Sequence, residues 1–186
     1  MDKQSGLIFD ADKHEYRLAG KVLPSVTQII GAAGLVDFSR VPPERLLLAQ
    51  ERGTAVHKAC DLHDKGTLDY ASLDPLVWPY LEAWVLFRNQ TGFHVDQAEL
   101  PIYSIKHGYA GTFDRIGMLQ DPALIDIKTS EIISQATGVQ TAAYLFACDE
   151  IGMLGMPIKK YKRFALHLFD NGKYELEPYT NPQDWR

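Results

Sequence analysis

The stretch Ala123-Leu124-Ile125-Asp126-Ile127-Lys128-Thr129-Ser130 decides the fold that this sequence predicts. It is apolar and rich in β-branched residues, and the turn-forming residues 120–122 precede it, so it predicts a short buried β-strand. Asp126 and Lys128 interrupt the apolar run, and alternation along a strand places both side chains on one face. A carboxylate and an ammonium on a buried strand are costly to desolvate unless a metal, a substrate or a water network uses them.

The preceding segment, residues 109–119, also alternates between apolar and polar positions. We expect it to pair with the first strand as an antiparallel hairpin that turns at residues 120–122. Asp114 would then lie opposite the Asp126 region, where two carboxylates repel each other unless a cation sits between them. A metal-dependent phosphodiesterase requires this arrangement. A purely structural ion pair, Asp126 with Lys128 or Asp114 with Arg115, is the alternative.

A long helix is predicted over residues 43–65, with Pro43 at its first position and Gly66 just beyond its end. Gly53 and His57 lie four residues apart and therefore share a face of this helix. The apolar neighbours of His57 indicate that its ring points inward. An inward histidine is either a metal ligand or a core residue with a hydrogen-bond partner, and the helix alone leaves both interpretations open.

A further helix is predicted to begin at a Ser134 cap and to end near residue 152. Gln140 and Tyr144 lie one turn apart on its small-residue face. This pattern indicates a helix packed closely on the sheet, with two hydrogen-bonding groups directed at a common target.

The order of these motifs resembles that of a known enzyme superfamily. The motifs are GTAVH at 53–57, an isolated Glu99, GTFD at 111–114, DIKTS at 126–130 and QTAAY at 140–144. Together they resemble the PD-(D/E)xK nuclease superfamily, and most of all its RecB-type exonuclease branch. That branch includes RecB nuclease domains, CRISPR-associated adaptation nucleases and the mitochondrial genome-maintenance exonuclease. The phrase GKVLPSVT at 20–27 also resembles the opening of stand-alone, often phage-encoded members.

The resemblance implies a role for each matching residue of the site. Asp114 and Asp126 would be catalytic carboxylates that bind one or two Mg²⁺ or Mn²⁺ ions. Lys128 would be the catalytic lysine, His57 a metal ligand, and Ile127 would offer its backbone carbonyl to the metal. A histidine ligand favours Mn²⁺ more than an all-oxygen site does.

The resemblance also assigns supporting residues. Gln140 and Tyr144 match a motif that contacts DNA and steadies the site, and Glu99 would be an additional or supporting ligand. Asp126 stands where the superfamily has either Asp or Glu. Some relatives hold an iron–sulfur cluster with four cysteines, but this chain has only Cys60 and Cys148, so no cluster is expected.

Composition sets the outer bounds of these predictions. With 186 residues, 46% hydrophobic and 23% charged, the chain is predicted to form a single domain over residues 1–186. It carries no apolar run long enough to span a bilayer and no secretory leader, so no membrane partner is expected. Two cysteines in helical contexts indicate free thiols in a reducing, cytoplasmic compartment, and the resemblance implies a bacterial or phage-encoded protein.

Charge gives a weaker indication of the partner. A net charge of −5 argues against a protein that coats DNA nonspecifically, but not against a nuclease with an acidic metal site. The basic and aromatic run at 159–163 makes Lys160 and Arg163 candidates for DNA contact. An edge strand guarded by lysines is the alternative interpretation of this run.

The predicted layout is an α/β protein with a mixed central sheet flanked by helices. It begins with a hairpin over Leu7–Leu23 and a short helix from Ser25, followed by the 43–65 helix and another over 74–92. Strands follow near 95–105, 108–119 and 123–129, then the helix from Ser134 and strands near 161–169 and 173–178. This order agrees with the restriction-endonuclease-like αβββαβ core that the resemblance implies.

These observations predict a Mg²⁺- or Mn²⁺-dependent deoxyribonuclease, an exonuclease on single-stranded or end-containing DNA in replication, recombination or repair. A recombination or replication protein is a candidate partner. Two alternatives stay open: a structure-specific or nicking endonuclease on the same fold, and a non-catalytic DNA-binding assembly module. Intact Asp114, Asp126 and Lys128 argue against the second.

Overall fold

The computed structural model describes residues 6–11, 13–37, 39–130 and 133–185. The strands are β1 Leu7–Asp10, β2 Glu15–Leu18, β3 Lys21–Leu23, β4 His94–Ser104, β5 Tyr109–Met118, β6 Pro122–Lys128, β7 Lys162–Leu168 and β8 Tyr174–Pro178. The α-helices are α1 Val26–Ala32, α2 Pro43–Asp64, α3 Trp78–Thr91 and α4 Ala136–Glu150. Short 3-10 helices span Tyr70–Ser72, Ile158–Lys160 and Pro182–Trp185.

A five-stranded sheet in the order β4-β5-β6-β7-β8 forms the centre of the fold. Neighbouring strands are antiparallel except β6 and β7, which run parallel because α4 crosses over between them. The sheet is therefore mixed and lies between helices, which confirms the predicted α/β class.

Alternation along β6 divides the apolar residues between two clusters. Ala123, Ile125 and Ile127 pack with residues of α2 and α3, whereas Leu124 belongs to the cluster built by α1 and α4. Asp126 lies in the same alternating set as Leu124. The charged positions of β6 are therefore directed toward the α4 side of the sheet.

The N-terminal segment forms a separate three-stranded antiparallel sheet, β1-β2-β3, rather than the predicted hairpin. The turn at residues 18–21 is present, and a second turn between Asp10 and Glu15 adds the extra strand. The small sheet is attached to the large one at a parallel bridge between Ser25 and Ala110, where the Ala110 N–H donates to the Pro24 carbonyl at 3.0 Å.

Helix ends follow local signals. Gly92, with φ of 68°, terminates α3 in the left-handed conformation that glycine adopts readily. The helix begins at Trp78, later than predicted, because the Asp74 side chain accepts the Leu76 N–H and holds a turn there. Similarly, Ser134 Oγ accepts the Ala136 N–H at 3.2 Å just before α4 begins. Across the described ranges, no helix is long and apolar enough to cross a membrane.

Candidate metal and catalytic site

β5 and β6 bring Asp114 and Asp126 together at the end of their shared ladder. Arg115 opposite Ile125 is the final pair in the antiparallel register, so Asp114 and Asp126 are the next opposed positions. At these positions the Ile127 N–H donates to Asp114 Oδ2 at 2.6 Å instead of to a backbone carbonyl of β5. Both carboxylates are buried, with exposed fractions of 7% and 1%.

Asp126 and Lys128 form the ion pair that their shared strand face allows. Lys128 Nζ lies 2.7 Å from Asp126 Oδ2. Among the described residues, Lys128 is the one charged partner of this buried oxygen, so no second donor accompanies the ammonium. A carboxylate oxygen has two lone pairs, so one is left for a further partner.

α4 supplies the two groups that fix Lys128. Lys128 Nζ donates to Gln140 Oε1 at 3.1 Å, and Gln140 Nε2 donates to the Tyr144 hydroxyl at 3.0 Å. The Tyr144 ring lies against Gly111, where an added Cβ would come within 2.6 Å of Tyr144 Cε1. The common target of Gln140 and Tyr144 is therefore the Asp126–Lys128 pair and the β5 backbone beside it.

His57 extends from α2 toward the same strands. Its Nε2 lies 3.1 Å from the Ile127 carbonyl, and because a carbonyl oxygen only accepts, Nε2 carries a proton. Its Nδ1 lies 3.3 Å from Asp114 Oδ1 and 3.5 Å from Glu99 Oε1. The ring is partly exposed and contacts carboxylates on its inner side, so His57 is not an apolar core residue.

Glu99 completes a cluster with His57 and Asp114. These three residues each place one ligand atom within 4.8 Å of the others, close enough to hold one metal ion. Glu99 has φ of 50° within β4, a conformation that non-glycine residues seldom adopt and that costs free energy. The cluster does not include Asp126, so Glu99, predicted only as an additional or supporting ligand, is one of its three members.

Arg115 supports this cluster from inside the protein. Its side chain is 0% exposed, and it donates from Nε to Asp64 Oδ2 at 3.0 Å and from Nη1 to Glu99 Oε1 at 2.8 Å. The guanidinium also lies 5.4 Å from the Trp84 ring centroid. The sequence suggested an ion pair between Arg115 and Asp114, but Arg115 instead pairs with Asp64 and Glu99.

The concentrated charge shifts the pKa of each group. Burial would lower the pKa of His57, but the charge and hydrogen bond of Asp114, with a contribution from Glu99, raise it to about 10. Burial would raise the pKa of Asp114, but His57, Lys128 and the Ile127 N–H hold it below its usual range. Burial and the charge of Asp114 raise the pKa of Asp126 to about 6, despite the opposing charge of Lys128. The site therefore holds three close carboxylates, Glu99, Asp114 and Asp126, against three cations, His57, Lys128 and Arg115.

A cavity of about 570 Å³ opens onto the cluster. His57, Glu99 and Asp114 lie on one side of it, with Lys58 of α2 among the other lining residues. The N-terminal sheet also lines it, through Phe9, His14 and Tyr16. The volume is within the ~300–1,000 Å³ typical of small-molecule sites.

The two predicted basic DNA contacts lie elsewhere. Arg163 is 4% exposed and donates to the Gly138 carbonyl and to Asp184 Oδ2, so it has partners inside the fold. Lys160 is exposed, but it precedes β7, whose first residue pairs with Ala123 at the start of β6. Five residues of strand, roughly 17 Å, separate that end from Lys128. Neither residue is brought to the cluster.

Sequence reasoning missed several groups at this site. Phe9, His14 and Tyr16 fall within the predicted hairpin and Asp64 within the predicted 43–65 helix, and neither prediction assigns them a role at the site. Asp64 could have been found as a partner for Arg115, since a fully buried arginine requires a carboxylate. The aromatic wall had no comparable signal, because its approach to the site depends on how the small sheet docks.

No protein-family model matches this chain, and no curated protein matches its sequence. The predicted membership of the PD-(D/E)xK superfamily therefore stays a prediction that depends on the order of the motifs.

Proposed function

We propose that this protein is a metal-dependent deoxyribonuclease with a restriction-endonuclease-like core, and that it acts as an exonuclease on single-stranded or free DNA ends. One observation carries the proposal: His57, Glu99 and Asp114 form a cluster that lines one cavity, and Asp114 lies opposite the Asp126–Lys128 pair across the β5–β6 ladder. The element order α3-β4-β5-β6-α4-β7 also agrees with the αβββαβ order of that core.

The donor set fits a hard divalent cation. Carboxylate and carbonyl oxygens suit Mg²⁺ and Mn²⁺, and one imidazole favours Mn²⁺. His57 would hold the ion through Nδ1, together with Glu99 and Asp114. The Ile127 carbonyl lies at the other ring nitrogen, Nε2, and orients the imidazole. The close approach of three carboxylates supports this fit, and Asp126 Oδ2, which is paired with Lys128, keeps a second lone pair. A bound cation would lower the pKa of a coordinated water and offset charge on the phosphate in the transition state.

The protein's own residues would position the reaction. Lys128, held between Asp126 and Gln140, would orient or deprotonate the attacking water and neutralise a phosphate oxygen. Gln140 and Tyr144 keep the ammonium in place through their hydrogen bonds. A non-catalytic module would require none of these contacts.

The N-terminal sheet favours a strand end as substrate. It lines part of the cavity that the cluster lines, and a cavity of about 570 Å³ suits a strand end better than a continuous duplex. A nicking or structure-specific endonuclease is the second candidate, since the same residues would cut an internal bond.

The test is digestion of end-labelled linear DNA and closed circular single-stranded DNA with Mg²⁺ or Mn²⁺. We expect linear DNA to be shortened from an end, circular DNA to persist, and chelator to stop the reaction. Cleavage of the circle would replace the exonuclease by the endonuclease. Failure to cut either substrate with either metal would contradict the proposed function.

A further inference from the structure

We propose that Phe9 and His14 form a stacking site for the base of the terminal nucleotide, next to the phosphate that is cut. This inference rests on the proposed function and specifies how the same cavity would recognise its substrate. It concerns residues of the N-terminal sheet that none of the predicted catalytic motifs contains.

Three aromatic rings are grouped on the β1–β2 side of the cavity. Phe9 stacks on Tyr16 with centroids 4.6 Å apart and an interplanar angle of 25°. His14 meets Phe9 edge to face at 5.4 Å. Tyr16 is buried, whereas Phe9 is half-buried and His14 exposed, so the latter two present ring surface to the cavity. The group is thus a platform with a fixed base and an accessible surface.

The platform is fixed to the strand that carries Asp114. The Tyr16 hydroxyl and Thr112 Oγ1 are joined by a 2.8 Å hydrogen bond. Thr112 precedes Asp114 by two residues on β5, so their side chains share a face and lie roughly 7 Å apart along the strand. The charge of Glu99 also raises the pKa of Tyr16, after the larger effect of burial, which indicates that the platform lies close to the cluster. A base on the platform is therefore within one nucleotide of a phosphate at the carboxylates.

The groups that line the cavity match the two parts of a nucleotide, its phosphate and its base. A cation held by His57, Glu99 and Asp114 would attract a phosphate, and Lys58 adds positive charge among the lining residues. The platform of Phe9 and His14 offers planar aromatic surface, on which any base stacks without sequence preference. A ligand that satisfies both carries an anionic group and a flat π-system joined by a short link.

The test uses the full chain and a single-stranded oligonucleotide with 2-aminopurine, whose fluorescence falls when it stacks, at each of the last three positions in turn. Ca²⁺ replaces Mg²⁺ so that DNA binds without cleavage. Phe9→Leu keeps apolar volume without a π-face, and His14→Asn keeps a residue that tolerates the observed φ of 50°. Ile8→Ala is the matched control, because Ile8 is 65% exposed and points to the opposite face of β1.

We expect wild type and Ile8→Ala to quench the fluorophore at one terminal position, and Phe9→Leu and His14→Asn to quench it less. In the cleavage assay, Phe9→Leu should raise KM roughly 5- to 150-fold, the range for loss of one stacked base. Removing the base at that position should cost wild type a similar factor and cost Phe9→Leu nothing further.

Two results would overturn the stacking site in distinguishable ways. If wild type cuts DNA but Phe9→Leu retains its KM and its sensitivity to the missing base, the site is refuted and the nuclease stands. If wild type neither binds nor cuts DNA with any of the three metals, the proposed function is refuted and the stacking site with it.

Discussion

Arg115 donates a hydrogen bond from Nη1 to Glu99 Oε1 at 2.8 Å, and the same nitrogen donates to the backbone carbonyl of Asp114 at 2.8 Å. One buried guanidinium thus links the two carboxylate residues that His57 contacts. The left-handed backbone of Glu99 turns its side chain toward this contact. Arg115, which does not line the cavity, therefore fixes the distance between Glu99 and Asp114 from the protein interior.

This link predicts a loss of stability and of metal affinity in Arg115→Met. The variant removes the buried guanidinium that pairs with Glu99 and with Asp64 Oδ2, and we expect the free energy of unfolding to fall by roughly 3–5 kcal/mol. In Arg115→Lys a single ammonium cannot bridge both carboxylates, so the metal concentration for half-maximal rate should rise. Urea unfolding and metal titrations measure these effects.

Arg88→Met is the control for that experiment. Arg88 pairs with Asp64 at 2.7 Å on its other oxygen and makes no described contact with Glu99. We expect it to lower stability while the metal requirement stays at the wild-type value. An equal change of metal requirement in both variants would show that Arg115 acts only through general stability.

Asp114→Asn and Asp126→Asn should change metal-free stability in opposite directions. The pKa of Asp126 is raised to about 6, so its ionised form disfavours folding above that pH. Asp126→Asn should therefore stabilise the metal-free protein at pH 7, by roughly 1–3 kcal/mol. The pKa of Asp114 is lowered, so its charge favours folding and Asp114→Asn should destabilise the protein.

The effect of Asp126→Asn on the stability of the metal-free protein should also depend on pH. The stabilising effect of Asp126→Asn should shrink as pH falls from 7 toward 4, because wild-type Asp126 takes up a proton in the folded state first. Thermal unfolding in chelator across this range measures it. Destabilisation by both substitutions at pH 7 would contradict the charge balance described for the site.

His57 should release a proton when metal binds. Its pKa of about 10 in the metal-free site means that the protonated ring stabilises the fold below pH 6.5, and that this contribution is lost as pH rises through 10. A ligand histidine must be neutral, so protons and metal compete. Between pH 7 and 9 we expect Mg²⁺ affinity to rise about tenfold per pH unit.

Calorimetry in buffers of different ionisation enthalpy counts the released protons. Wild type should release about one proton per Mg²⁺ near pH 8, and His57→Asn should release none while binding more weakly. Proton release that is unchanged in His57→Asn would assign the proton to another group and remove His57 from the ligands.

Lys128→Ala should lower the cleavage rate without weakening the binding of metal or DNA. We expect the rate to fall roughly 10²–10⁴-fold, the range for losing a positioned proton-transfer group, while metal and DNA binding persist. Lys128→Arg should not restore the rate, because a guanidinium stays protonated. Single-turnover rates and DNA-binding titrations make the comparison, and wild-type cleavage by Lys128→Ala would make this lysine structural.

Local pattern was enough to predict most elements of the large sheet. The buried run at 123–130 and the alternating segment before it gave β6 and β5 within one or two residues, because hydrophobic period and turn residues act locally. The joint direction of Asp126 and Lys128 followed from strand geometry alone. The turn between β1 and β2 was not predicted, because neither glycine nor proline follows Asp10 to mark it.

The site was predictable where a motif fixed a residue to one element, as with His57, Asp114 and Gln140. It was not predictable where contact depends on packing between distant elements. Arg115 and Asp64 are 51 residues apart and meet only when α2 packs on the sheet. The basic run at 159–163 was separated from the cluster by the parallel pairing of β7, which sequence does not specify.

The most direct test of a metal-dependent nuclease at this site is a cleavage rate after metal removal and restoration. Wild type and Asp114→Asn are stripped with chelator, checked for folding by circular dichroism, and given end-labelled single-stranded DNA with increasing Mg²⁺ or Mn²⁺. We predict that wild type recovers cleavage with saturating metal dependence and that folded Asp114→Asn does not. Equal cleavage by both proteins, or cleavage by wild type in chelator, would contradict the account.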